Sequence, residues 1–162
     1  AAQIPAGRTI HRAHLILDTG LFTSPDPTET LGLFDVATSV DQIDDGSDFL
    51  ATFDDLGSGR SYGEYIYSEA DEATRRTLPL NSAAIADLTA TSLAGQDQVF
   101  GIGGAIVTLD GTPATNLATS EYIFGLTESL ATPVLAVRYI PSPTGGSLAL
   151  VGCLLVALCT RW

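Results

Sequence analysis

Over its first 140 residues the chain is cut into short β-prone stretches by turn residues, and this punctuation limits the fold most. Segments 9–17 (TIHRAHLIL), 30–36 (TLGLFDV), 49–53, 62–67 (YGEYIY), 77–80, 98–109 (QVFGIGGAIVTL), 120–124 (SEYIF) and 133–140 (PVLAVRYI) are rich in branched, aromatic and other apolar residues. Between them lie Gly20, Pro25 and Pro27, then Gly57-Ser58-Gly59, then Asp110-Gly111, a hairpin signal. Pro79 marks an edge or a strand end. Gly101, Gly103 and Gly104 point to a bulge or a close backbone approach. One stretch has a different period. Asn81 can cap a helix over Ser82–Ala94, with Ile85 and Leu88 on one face and Gly95 to end it. Seven or eight short strands with one short helix predict a mainly β chain, a jelly-roll-like antiparallel β-sandwich over residues 1–140. Its expected core holds Leu15, Leu33, Phe34, Phe100, Ile102, Ile106, Ile123 and Val137.

Composition changes after Ile140. Pro141-Ser142-Pro143 is a stiff break, Thr144-Gly145-Gly146 a flexible one, and SLALVGCLLVALCT then runs to Arg161-Trp162. No charge occurs between Arg138 and Arg161. Residues 141–162 therefore read as a Pro/Gly linker and an apolar C-terminal tail attached to the body. As a helix, residues 145–160 span about 24 Å, short of a ~30 Å hydrocarbon core. That helix would line Gly145, Ala149, Cys153 and Ala157 along one stripe of small side chains. Leu148, Val151, Leu155 and Leu158 would form a seam on another face. As a strand, the LLVAL stretch would add to a neighbouring sheet. Both conformations make these eight residues candidates for subunit assembly.

Charge excludes some functions. The chain carries 19 acidic residues against 7 basic ones, all Arg, a net charge of −12. Phosphate backbones and anionic lipid head groups are repelled by such a chain. The two cysteines, Cys153 and Cys159, both lie in the tail, so the body has neither a disulfide framework nor a cysteine zinc site. A start at Ala1-Ala2-Gln3 fits the end left by a signal peptidase, and secretion or cell-surface location is the expectation.

Few residues offer chemistry. His11 and His14 are the only imidazoles, and on a strand a spacing of three sends them to opposite faces. The acidic stretch Asp41, Asp44, Asp45 and Asp48, with Asp54 and Asp55 nearby, supplies hard oxygens suited to calcium. It departs from the EF-hand pattern, having Ile43 and Thr52 where ligands belong. It reads either as an irregular calcium loop or as a solvated acidic loop. Gly57-Ser58-Gly59 is a turn, not a strand-to-helix nucleophile elbow. Tyr65 and Tyr67 share one face of a strand and would offer a small platform for polysaccharide. No catalytic set emerges, and the chain is read as not an enzyme.

A body of this kind followed by Pro141-Ser142-Pro143, the apolar span 148–159 and terminal Arg161 resembles the PEP-CTERM proteins of bacteria. The family's Glu is Ser142 here, and its basic cluster is a single Arg before Trp162. The body adds to the likeness through Phe100, Ile102, Gly103, Gly104, residues 109–112 and residues 121–125. The resemblance implies export, a non-catalytic surface or matrix role, and a tail that an exosortase in the membrane would sort. Together these readings predict an extracellular structural protein, a self-assembling fibre, sheath or matrix subunit whose tail joins copies of itself. A membrane-anchored or exosortase-sorted surface protein and a carbohydrate-binding module are the other readings.

Overall fold

A computed structural model describes residues 6–46, 48–95, 99–108, 121–125 and 132–140, and the backbone of 153–157. The chain is mainly β, in three antiparallel sheets. Its strands are β1 (Thr9–Asp18), β2 (Leu21–Thr23), β3 (Glu29–Asp35), β4 (Ser61–Tyr67), β5 (Arg75–Pro79), β6 (Ile102–Ile106), β7 (Tyr122–Gly125), β8 (Val134–Ile140) and β9 (Cys153–Ala157). Its α-helices are α1 (Val40–Asp45), α2 (Phe49–Leu56) and α3 (Ser82–Ala94). The sheets run β5-β1-β8-β9, β4-β3-β6 and β2-β7.

β1 is an inner strand of the four-stranded sheet. Two residues of β1, Ile10 to Arg12, span one step of β8, from Tyr139 to Arg138. His11 is thus the extra residue of a bulge. The bulge resets the alternation, so Ile10, Ala13 and Leu15 are all buried despite the spacing of three. A second bulge falls in β4. Leu33 faces Gly63 and Phe34 faces Ser61, so Tyr62 is the extra residue. Gly63 sits at φ 147°, and a Cβ there would collide with the Tyr65 hydroxyl. This kink buries both Tyr62 and Tyr67, which simple alternation would place on opposite faces.

Helix α3 follows its sequence signals. The Asn81 side chain accepts from the backbone N–H of Ala83 (2.9 Å) and Ala84 (3.2 Å), and its amide donates to the Ser61 carbonyl of β4. Ala84, Leu88 and Ser92 form its buried side. Thr89 and Ser92 accept from the backbone N–H of Ile10 and Arg8, so α3 fixes the entry of β1. The core joins residues of all three sheets with α3: Leu15, Leu31, Leu33, Tyr62, Tyr67, Leu78, Leu88, Ile123, Leu135 and Val137 among them. Four of the eight expected core residues, Leu15, Leu33, Ile123 and Val137, are buried. Phe100, Ile102 and Ile106 pack against the core partly exposed, and Phe34 lies outside it. Phe100 stacks on Tyr62 with centroids 5.4 Å apart.

Two expectations are corrected. Segment 49–53 is helical, not a strand, and the acidic stretch before it is a helix, not a loop. Ser39 and Gln42 form a capping box at the start of α1, and Gly46 ends it in the left-handed conformation. Phe49 and Phe53, one turn apart, stack along α2 with centroids 6.4 Å apart. The C-terminal end of α2 rests on β6, where the backbone of Leu56 lies directly against Gly103. The glycine run thus marks the close backbone approach expected of it. The expected turn Asp110-Gly111 lies outside the described residues.

Candidate functional site

The acidic stretch does not form an ion cage. Asp41, Asp44 and Asp45 stand exposed on α1, and Asp48 precedes α2. Helical backbone aims its carbonyls along the axis into the ladder, so calcium's six to eight converging oxygens are not assembled. Among the described residues no group of three or more His, Cys, Asp or Glu side chains is placed to hold a metal ion. Asp55 has a different task. Its Oδ2 accepts from the Thr38 hydroxyl (2.7 Å) and from the backbone N–H of Thr38 (2.8 Å) and Ala37 (2.9 Å). These bonds, the hydroxyl first, hold its carboxyl below the usual range. Asp55 pins the segment entering α1 to the far end of α2.

This anchoring turns α2 over. Thr52, Asp55 and Leu56 face the body, half-buried, while Phe49, Leu50 and Phe53 point outward at 71%, 77% and 66% exposure. The Thr52 hydroxyl is buried without a hydrogen-bond partner among the described residues. The β-prone composition of 49–53 hides this face in the sequence. The one-turn spacing of Phe49 and Phe53 with Gly57 beyond them was the signal for it.

The remaining candidates separate. His11 is exposed on its bulge, and half-buried His14 lines a cleft with Arg12, Ala13, Pro79, Leu80 and Ile85. Ser58 is exposed in the turn after α2. Tyr65 and Tyr67 do not make a sugar platform. Tyr67 is fully buried, edge-on to Phe124 and beneath the Arg76 guanidinium, and the half-buried Tyr65 donates its hydroxyl to the Pro79 carbonyl. An apolar cleft of about 270 Å³ opens between β1, β3, β6 and β7. Its lining among the described residues, including Leu15, Leu17, Leu31, Leu33 and Phe124, offers no acid, base or nucleophile. Glu29 is a buried carboxylate with a structural role: it accepts from the Ser24 hydroxyl (2.5 Å) and the Thr108 hydroxyl. Two donors satisfy oxygens that burial would otherwise leave unpaired.

The tail contributes one described element. Residues 153–157 are extended, so the helical stripe through Cys153 and Ala157 does not exist there. Gly145, Leu148, Ala149, Val151 and Leu158 lie outside the described residues. β9, which contains Cys153, Leu155 and Ala157, pairs antiparallel with β8, from Val134 opposite Ala157 to Arg138 opposite Cys153. It is the outer strand of its sheet, beyond a β8 whose Val134, Leu135 and Val137 are buried. An outer strand offers a second row of N–H and C=O groups to another chain. Among the described residues no helix is long and apolar enough to cross a membrane. No protein-family model, curated protein or solved structure matches the chain.

Proposed function

We propose that this protein is a non-enzymatic extracellular structural subunit of a fibre, sheath or matrix, built on a jelly-roll-like antiparallel β-sandwich, with its apolar tail as the element that joins copies. The observation that carries the reading is β9, an apolar tail strand that completes the four-stranded sheet as its outer member. Neighbouring antiparallel strands lie about 4.8 Å apart and need only a two-residue turn between them. Twelve residues, 141–152, separate β8 from β9, and fully extended they reach roughly 40 Å. A connection that long can deliver β9 to the β8 edge of an adjacent copy as readily as to its own. Exchanging an identical element between copies needs no new interface. The body itself resists crowding, because a net charge of −12 repels its like. A cohesive apolar strand supplies the attraction. Neither calcium nor polysaccharide binding is part of this reading, since the residues expected to carry them are placed otherwise.

Truncation after Pro143 tests the proposal. The full-length protein should form large assemblies visible by electron microscopy and light scattering, and the truncated protein should be a folded monomer. Polymerisation of the truncated protein would move the contacts to the body. A full-length protein that is monomeric in mild detergent and partitions into liposomes would favour a membrane-anchored or exosortase-sorted surface protein instead.

A further inference from the structure

We propose that the α1–α2 pair is a docking surface for a cationic amphipathic helical segment of a partner protein. Three observations carry this. The first is the inverted orientation of α2, whose Phe49, Leu50 and Phe53 face outward while Thr52 and Asp55 face the body. The second is the neighbouring α1, which has no buried residue and adds Val40 and Ile43, both more than 40% exposed. The five side chains present roughly 500 Å² of apolar surface, more than single exposed residues usually leave to water. The third is charge. Residues 36–59 contain six aspartates and no basic residue. Asp55 is bound to Thr38; Asp41, Asp44, Asp45, Asp48 and Asp54 are exposed on or beside the same two helices.

Exposed apolar side chains among aspartates select an occupant by complementarity. A helix with one apolar face and flanking Lys or Arg can bury Phe49, Leu50 and Phe53 while pairing the nearby carboxylates. A second copy of this chain would press five aspartates against five. An anionic membrane would meet the same repulsion. Held to the body by Asp55 and by the seat of Leu56 on Gly103, the surface is preformed. It does not involve the tail, so this inference stands apart from the assembly proposal.

The test uses the full chain and a labelled synthetic peptide of about 18 residues, Leu and Lys in amphipathic helical register. Its control has the same composition with the periodicity scrambled. Fluorescence anisotropy should show saturable binding of the first peptide and at least tenfold weaker binding of the second. Phe49→Ser with Leu50→Ser and Phe53→Ser should weaken binding tenfold or more while the melting curve is kept, because these side chains are solvent-exposed. Leu50→Ser alone gives the same direction should the triple variant lose its fold. Asp41→Asn with Asp44→Asn, Asp45→Asn and Asp48→Asn should weaken binding and flatten its salt dependence. Equal binding of both peptides, or equal binding to the serine variants, would reduce the effect to bulk charge attraction and overturn the proposal. So would binding of the protein to lipid vesicles that the serine substitutions abolish, or a concentration-dependent dimer that they abolish.

Discussion

Adjacent glycines in β6 should respond oppositely to the same substitution. A Cβ built on Gly103 would sit 2.7 Å from Leu56 Cα and 2.8 Å from its carbonyl carbon, where α2 ends against the strand. Carbon atoms pack at about 3.5–4.0 Å, and these are backbone atoms that cannot rotate aside. Either α2 lifts or β6 bends, so Gly103→Ala should destabilise by roughly 1–3 kcal/mol, as overpacking does. A Cβ on Gly104 would meet Leu31 Cδ1 and Leu33 Cδ2 at 3.5 Å, an ordinary contact. Neither residue has a positive φ, so backbone strain does not enter. Gly104→Ala should be neutral or stabilise by up to about 1 kcal/mol through a less disordered unfolded chain. The two variants should differ by about 2 kcal/mol, which is about 4–8 °C in melting temperature for a chain of this size. Circular dichroism melts and urea titrations read the difference. Gly103→Ala should also speed proteolysis within 36–59 as α2 loosens. Two variants melting within about a degree of each other would refute the close seat of α2 on β6.

Three further outcomes follow from buried or anchored groups. Hydrogen bonds lower the Asp55 carboxyl, so its contribution is present above about pH 4 and is lost as pH falls through the lowered value. Asp55→Asn should lower stability at pH 7 and flatten the acid limb of a stability–pH profile; an unchanged limb would contradict the anchoring role. Burial pushes the Tyr67 phenol up to about 12, and its hydroxyl has no partner among the described residues. Its contribution is therefore present below about pH 10 and lost as pH rises towards 12; Tyr67→Phe should be neutral or stabilising by up to about 1 kcal/mol and should remove one late-titrating phenol from an ultraviolet titration, and a clearly destabilised variant would reveal a bonded hydroxyl. Glu29→Ala strands the hydroxyls of Ser24 and Thr108 and should cost about 2–3 kcal/mol by urea unfolding, with Glu29→Gln milder; equal losses would contradict an acceptor role.

Local signals made α3 legible. Asn81 and Gly95 flank a run of good helix formers, and the helix spans Ser82–Ala94 as expected. The strands 62–67 and 133–140 were visible because their branched and aromatic residues sit between turn signals. Side-chain facing was less legible where bulges intervene. Strict alternation puts Tyr62 and Tyr67 on opposite faces, and the bulge at Tyr62 that buries both depends on pairing with β3. The α1–α2 pair was hidden by its composition, since Phe49-Leu50-Ala51-Thr52-Phe53 is too short and too apolar for period alone to decide. Its boundaries were nevertheless written in Ser39 and Gln42, in Gly46 and in Gly57. Asp55 could not be recognised as an anchor because its partners, Ala37 and Thr38, are brought to it by tertiary folding. In the tail, small-residue spacing allowed a helix and the LLVAL run a strand; 153–157 is extended, and its ladder to β8 decides between them, a choice no local pattern encodes.

Disulfide trapping of the tail strand tests the assembly account most directly. Arg138 and Cys153 are opposed in the β8–β9 ladder, where Cα atoms lie about 4.5–5.5 Å apart, within disulfide reach. Arg138→Cys combined with Cys159→Ser leaves one engineered thiol opposite one native thiol. If β9 is exchanged between copies, oxidising the assembled protein should give a ladder of covalent multimers on a non-reducing gel, collapsing to monomer with reductant. Assemblies that yield only an intrachain disulfide at monomer size would show each tail paired with its own body, and would contradict the claim that the tail joins the subunits.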